Sequence, residues 1–399
     1  MSSVWRQLGI LTNWPVLVAL AVLSTLGVLS IWANQPDDAS KQILFLVLAI
    51  ACMTLFQAID YRKIGHFSFI FYGVSLLFLI YTVVPFTHVP SGDSRPLRVP
   101  ETHGAYAWIN FGPLRFQPAE MMKIAFIMVM ARYLRFRSNY RTLRGLLPPF
   151  ALALVPLALI LVQPDLGTAL IFIPALFIML FVAGAKIRHL LAVVALGVAT
   201  GPFLWLCGSK ENGAPGLPVL NHLPTFVKRY QRDRVYAMFK NDSMTLRSTG
   251  MQQHRALTAL GSGGFGGKGL GNIPVSKHLP EANNDMIFAV VGEQFGLFGS
   301  AAVLMAYIVL FAAGIEIAAA TREPFGKLLA VGVVALLAGQ TFLNLMVATK
   351  LMPVTGVTLP FMSYGGSSLL ASFMAAGLLL NIGQNRPLVM ANNAFEFVE

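Results

Sequence analysis

Four acids and a lysine sit at or inside long apolar runs of this sequence, and they are the residues best placed to move a proton. QPAEMMK (117–123), QPDLGTAL (163–170) and NNDMIF (283–288) put Glu120, Asp165 and Asp285 where an apolar run begins. A carboxylate held there can take the proton from an attacking hydroxyl. Capping is the competing reading, because proline at the first helical position and acids in the first turn suit any helix N-terminus. Asp38 and Ser40 use the same device before another run. Gln117 stands beside the first acid as a structural polar group, and Lys123 can pair with Glu120 along one helix face. Lys123 and Glu293 lie within apolar runs, where ionisable groups are costly and mark function by default. Glu293 follows Asp285 by eight residues, about 12 Å deeper and turned by about 80° on a continuous helix. That separation makes it no carboxylate twin of Asp285. It is expected to meet a cation or a backbone amide inside the bundle.

Two glycine-rich segments could meet phosphate. GSGGFGGKGLG (261–271) fails as a Walker A loop, because Ser262 stands at the first glycine position and Gly269 follows Lys268 where a hydroxyl residue belongs. Its amides and Lys268 could still hold an anion such as pyrophosphate. PFMSYGGSS (360–368) presents glycines and hydroxyls, Ser363 among them, at another helix start. No His/Cys cluster has metal-ligand spacing. Cys52 and Cys207 read as packing residues.

The elements that must position these groups are membrane spans. Of 399 residues, 56% are hydrophobic and 12% charged, against about 25% charged in soluble domains. Ten runs approach the length of about 20 residues that crosses the hydrocarbon core: 14–33, 42–59, 66–86, 118–134, 145–163, 165–184, 189–207, 286–319, 327–349 and 366–384. The expected fold is an all-α integral membrane protein, one polytopic domain over 1–399. The run at 286–319 is long for one span and is expected to tilt or to leave the bilayer. No cleavable signal peptide is evident. Lys and Arg concentrate in alternate short loops, which places both termini in the cytoplasm and the starts of the fourth, sixth and eighth runs outside. Residues 208–285, between the seventh and eighth runs, then form a large extracytoplasmic loop. Within it FVKRYQRDRVYAMFK (226–240) reads as a basic amphipathic helix at the bilayer surface. Residues 87–117 read as irregular.

QPAEMMK, QPDLGTAL, GSGGFGGKG, PEANNDMIFAVVGEQFG and PVTGVTLPFMSYGGSS together resemble the signature blocks of the SEDS proteins (shape, elongation, division and sporulation), of the RodA/FtsW type and closer to RodA. The blocks run in family order over nearly the whole chain. The resemblance implies a peptidoglycan glycosyltransferase that polymerises lipid II at the outer face of the bacterial cytoplasmic membrane. Its partners would be lipid II, the undecaprenyl-pyrophosphate-linked glycan and a class B penicillin-binding protein, with no nucleic acid. The family's essential acid falls on Asp285, and its other important polar positions on Glu120, Lys123 and Asp165. The sequence departs from the family pattern at Ala107–Trp108, Met251–Gln252, Arg255, Asn241–Asp242 and Glu293–Gln294. The implied chemistry is an inverting displacement, with Asp285 as general base and Lys123, the basic loop or a divalent cation (Mg or Mn) meeting leaving-group charge. At a helix N-terminus the Asp285 carboxylate is expected to stay ionised. The rival readings are a lipid-linked precursor flippase and a non-catalytic scaffold for a transpeptidase.

Overall fold

A computed structural model describes residues 13–92, 95–102, 105–112, 114–137, 139–207, 232, 234–235 and 249–385. Each of the ten apolar runs holds a helix. These are α1 (Trp14–Asn34), α2 (Pro36–Ala58), α4 (Ser68–Val83), α5 (Pro118–Arg135), α6 (Leu147–Val162), α7 (Leu166–Ala183), α8 (Ile187–Leu206), α10 (Ile287–Ala320), α11 (Pro324–Ala348) and α12 (Gly366–Asn385). Two shorter helices join them, α3 (Tyr61–His66) and α9 (Thr249–Ser262). Eight of the ten, all but α4 and α5, are long and apolar enough to cross a membrane. α4 has only 16 residues, whereas α6, of the same length, is extended by the helical turn before it to Arg144–Val162. Glu120, Lys123, Arg132 and Arg135 lower the hydropathy of α5. α2 begins earlier than its apolar run, because Pro36, Asp37 and Asp38 form a favourable first turn.

α5, α11 and α12 form the centre of the bundle, with both polar and apolar side chains buried along most of their length. Glycines permit the closest crossings: Gly377 of α12 lies on the Met53 backbone of α2, and Gly27 of α1 on the backbone of Met362. α8, by contrast, leaves Ile187, Leu191, Leu196, Val198 and Phe203 exposed. Most of the proposed 226–240 helix lies outside the described residues. The segment expected to be irregular carries two small ladders: β1 (His88–Val89) runs parallel to β2 (Val99–Pro100), and β3 (Ile109–Phe111) antiparallel to β4 (Leu114–Phe116).

The long eighth run is not one tilted rod. Gly296 (φ 64°, ψ −152°) breaks α10 into a short piece, residues 287–295, and a longer one, 297–320. That backbone conformation is open to glycine and strained for other residues. The break frees two carbonyls and two amides, and the glycine-rich loop takes all four. The amides of Lys268 and Gly269 donate to the carbonyls of Glu293 and Gln294 at 2.9 and 3.0 Å. The amides of Leu297 and Phe298 donate to the carbonyls of Gly264 and Phe265 at 2.8 and 3.2 Å. These are the groups that an uninterrupted helix would have paired to one another. The backbones touch so closely that a Cβ at Gly263 or Gly267 would overlap the carbonyls of Gly292 or Gln294.

The bundle has two distinct ends. α5 begins beside Glu120 and ends at Arg135, whose guanidinium pairs with Glu323 at 3.2 Å. Glu323 caps α11 by accepting from the Gly326 amide at 2.6 Å. From there α11 climbs back towards the end where α5, α7 and the short piece of α10 start.

Candidate functional site

At that end the loop between α11 and α12, residues 349–365, threads among the three acid-bearing helix starts. Gly167, in the first turn of α7, has no side chain because the Thr355 carbonyl and Val357 lie against it. The Tyr307 hydroxyl of α10 donates to the Pro360 carbonyl at 2.5 Å.

Glu120 and Lys123 pair within one turn of α5 at 2.9 Å, both buried, with Lys123 only 1% exposed. The Lys123 ammonium also donates to Gln340 Oε1 of α11 at 2.8 Å. Gln340 in turn donates through Nε2 to the Thr358 carbonyl at 3.0 Å and to its hydroxyl at 3.2 Å. Thr358 Oγ1 and Ser368 Oγ lie 2.6 Å apart. The pair is therefore tied to the threading loop through a side-chain amide that the sequence did not single out.

Asp165 is a helix cap. Its Oδ1 accepts from the Thr168 amide at 3.0 Å, and its Oδ2 from the Thr168 hydroxyl at 2.8 Å and from Gln117 Nε2 at 3.2 Å. Gln117 donates its own amide to Ser367 Oγ at 3.1 Å, which joins the starts of α5, α7 and α12.

Asp285 differs from both. Met286 is the N-cap of α10, so Asp285 lies one residue outside the helix, and its carboxylate accepts no hydrogen bond among the described residues. Its backbone, in contrast, is pinned. The carbonyls of Asn283, Asn284 and Asp285 accept in succession from the Tyr364 amide at 2.8 Å, Ser363 Oγ at 2.5 Å and Asn344 Nδ2 at 2.7 Å. The carboxylate is half-buried beside Gly356, where an added Cβ would stand 3.8 Å from Oδ2. Loss of water pushes its pKa up to about 7; the negative charges of Glu281 and Asp165 add to the rise, and Arg234 opposes it. The helix dipole expected to keep this group ionised is outweighed, because Asp285 makes no capping contact and is held away from solvent.

Two expected substrate contacts have other partners. Ser363 Oγ, besides donating to Asn284, accepts from the Leu359 amide at 2.7 Å. Lys268 Nζ binds Glu293 Oε1 at 2.6 Å. Glu293, 0% exposed, further accepts from the amides of Val275 and Ser276 at 3.1 and 2.7 Å and from the Ser276 hydroxyl at 2.6 Å. Glu293 thus meets a cation and backbone amides, while Lys268 belongs to the loop clasping α10 rather than to the acid cluster. Among the described residues no group of three His, Cys, Asp or Glu side chains converges to hold a metal.

The family model for FtsW, RodA and SpoVE, described as cell cycle protein, matches residues 2–387. The chain belongs to the FtsW/RodA/SpoVE family. It is 33% identical over 384 residues to a probable peptidoglycan glycosyltransferase FtsW of Geobacter metallireducens, covering 92% of this chain and 93% of that one. A chain in a solved peptidoglycan synthase complex, one that concerns the structural coordination of polymerization and crosslinking, matches with TM-score 0.75. The two are 30% identical, with 94% of this chain and 99% of that one covered. The Thermus thermophilus rod shape determining protein RodA matches with TM-score 0.64 at 28% identity, covering 94% and 97%. A multi-pass, all-helical membrane protein is common ground for this chain and these members of the family.

Proposed function

We propose that this family member polymerises lipid II into glycan strands, with Asp285 as the general base, in a crevice at the outer face of the cytoplasmic membrane. The enzyme class, peptidoglycan glycosyltransferase, follows from family membership. The observation that carries the residue assignment is the contrast at Asp285. Its backbone is fixed by three consecutive hydrogen bonds, while its carboxylate accepts no hydrogen bond among the described residues and has a pKa raised to about 7. A base needs that combination of fixed position and proton affinity.

In the reaction, the 4-hydroxyl of an incoming lipid II attacks the anomeric carbon of the growing strand. The hydroxyl proton passes to Asp285, the new C–O bond forms, and the bond to the undecaprenyl pyrophosphate breaks. One base and one displacement convert the α-linked donor to a β-linked product. Glu281 and Asp165 stand near enough for their charges to reach Asp285, but each is engaged elsewhere: Glu281 accepts from Asn284 Nδ2 at 2.5 Å, and Asp165 caps α7. Lys123 is matched by Glu120 and Lys268 by Glu293. Leaving-group charge therefore falls to cations beside the base. Arg234, whose charge reaches Asp285 and whose Nη1 holds the Val354 carbonyl at 3.0 Å, is the described residue in that place. A divalent cation brought with the pyrophosphate would lend the same help.

The partner is a class B penicillin-binding protein, by analogy with the synthase complex that this chain resembles. Relatives named for division and for rod shape both match, and the block FQPAEMMK with ARYLRFR favours the RodA side. Asp285→Asn, reconstituted with its partner and labelled lipid II, is expected to lose at least 100-fold in polymerisation while folding normally. Polymerisation at a rate comparable to wild type would remove Asp285 from this role.

A further inference from the structure

The Asp285 carboxylate has no hydrogen bond of its own among the described residues, so its position must come from the backbone that carries it. The local turn closes on Glu281, whose carbonyl accepts from the Asp285 amide at 3.2 Å. Of the three groups that reach this backbone from elsewhere in the bundle, Ser363 and Tyr364 belong to the threading loop, and both bond residues upstream of Asp285. Asn344 alone holds the carbonyl of Asp285 itself. It does so from α11, a buried helix anchored at its far end by Glu323 and Arg135.

Asn344 makes a second bond of equal length. Its Nδ2 group donates at 2.7 Å to Asp285 O and at 2.7 Å to Val357 O, so one amide joins the base-bearing segment to the loop. Val357 follows Gly356, the residue beside the Asp285 carboxylate, and packs on Gly167 of α7. One turn earlier on α11, Gln340 holds Thr358 of the same loop and the Lys123 ammonium. Asn344 and Gln340 are therefore neighbours on one helix face, spacing Asp285 from the Glu120–Lys123 pair along a rigid element. Asn344 is 1% exposed, and its Oδ1 has no hydrogen-bond partner among the described residues. A buried amide that leaves one atom unsatisfied loses stability relative to an apolar residue of its size. Packing alone does not account for it.

We propose that Asn344 is a positioning residue for the base: its side-chain amide staples Asp285 to the Gly356–Val357 segment of the threading loop and so fixes the direction of the carboxylate. This rests on the reading of Asp285 as the base. The amide does not touch substrate. It acts by limiting Asp285 to one placement beside a wall of backbone, where a shift on the order of 1 Å can cost about 100-fold in rate.

The test uses the full-length protein with its partner and lipid II. Asn344→Leu keeps the size and removes both donors. Its kcat is expected to fall at least 10-fold with KM for lipid II within twofold, and the acid limb of its pH–rate profile to move below that of wild type as water reaches the freed carboxylate. Asn344→Gln, which keeps the donor, is expected to recover at least a third of wild-type kcat. In an Asp285→Asn background the Leu substitution should cost nothing more. Wild-type kcat in Asn344→Leu would overturn the proposal, as would a loss that persists undiminished in the Asp285→Asn background. If the Leu variant does not fold, the Gln variant decides: an unmoved acid limb with kcat near wild type supports the amide staple, and kcat as low as an inactive variant overturns it. Failure of the base reading looks different, because Asp285→Asn itself would then be active.

Discussion

At the residue scale, the Asp285 carboxyl carries the pH dependence expected of the reaction. Burial, Glu281 and Asp165 hold the Asp285 carboxyl protonated up to about pH 7. A base must be ionised, so kcat is expected to rise with pH through about 7 and to fall tenfold per unit well below it. The kcat–pH profile of lipid II polymerisation checks this, and an acid limb near the ordinary aspartate value of about 4 would contradict it. The acids were legible in the sequence because each stands where a long apolar run begins, a position that marks a helix start but does not separate a cap from a base. Their division of labour was not. Asp165 and Asp285 look alike as letters, yet Thr168 satisfies one, while Met286 takes the capping position from the other. Gln340 and Asn344 carry no such mark, because a polar amide in an apolar helix declares nothing until its partners, brought from distant parts of the chain, are known.

At the scale of elements, the informative departure is the broken α10. An apolar run of this length reads as one helix, and periodicity carries no mark of a single glycine with positive φ. The loop GSGGFGGKG gave a signal of small residues but not its purpose, since glycines that cradle phosphate and glycines that admit another backbone share a composition. Here they admit the backbone of residues 292–296, and Glu293 with Lys268 closes the clasp. Two substitutions separate conformation from contact. Gly267 and Gly269 both have positive φ, 79° and 93°, so alanine strains both by about 1–3 kcal/mol. Only at Gly267 would the new methyl also overlap a carbonyl, that of Gln294, whereas Gly269 faces open space. Gly267→Ala is expected to lower the midpoint of thermal unfolding in detergent clearly more than Gly269→Ala. Equal shifts would mean that the loop does not clasp the helix in solution.

At the scale of the whole molecule, the two ends of the bundle do different work, and a membrane turns that difference into sidedness. The acid cluster, the threading loop and the clasp share one end, while Arg135 and Glu323 mark the other, with Arg137 exposed beyond α5. α5 has 18 residues, about 27 Å of helix, close to the thickness of the hydrocarbon core. The basic short loops lead us to expect the Arg135 end in the cytoplasm. On that sidedness the acid cluster would face outside, where the proposed lipid-linked substrate would be met. With Cys52 and Cys207 replaced by alanine, Lys277→Cys, exposed beside the clasp, should react with a membrane-impermeant maleimide in intact spheroplasts. Arg137→Cys should react only after permeabilisation. The reverse pattern would invert the molecule and put Asp285 on the side where no strand is built, which would sink the polymerase reading as surely as an active Asp285→Asn.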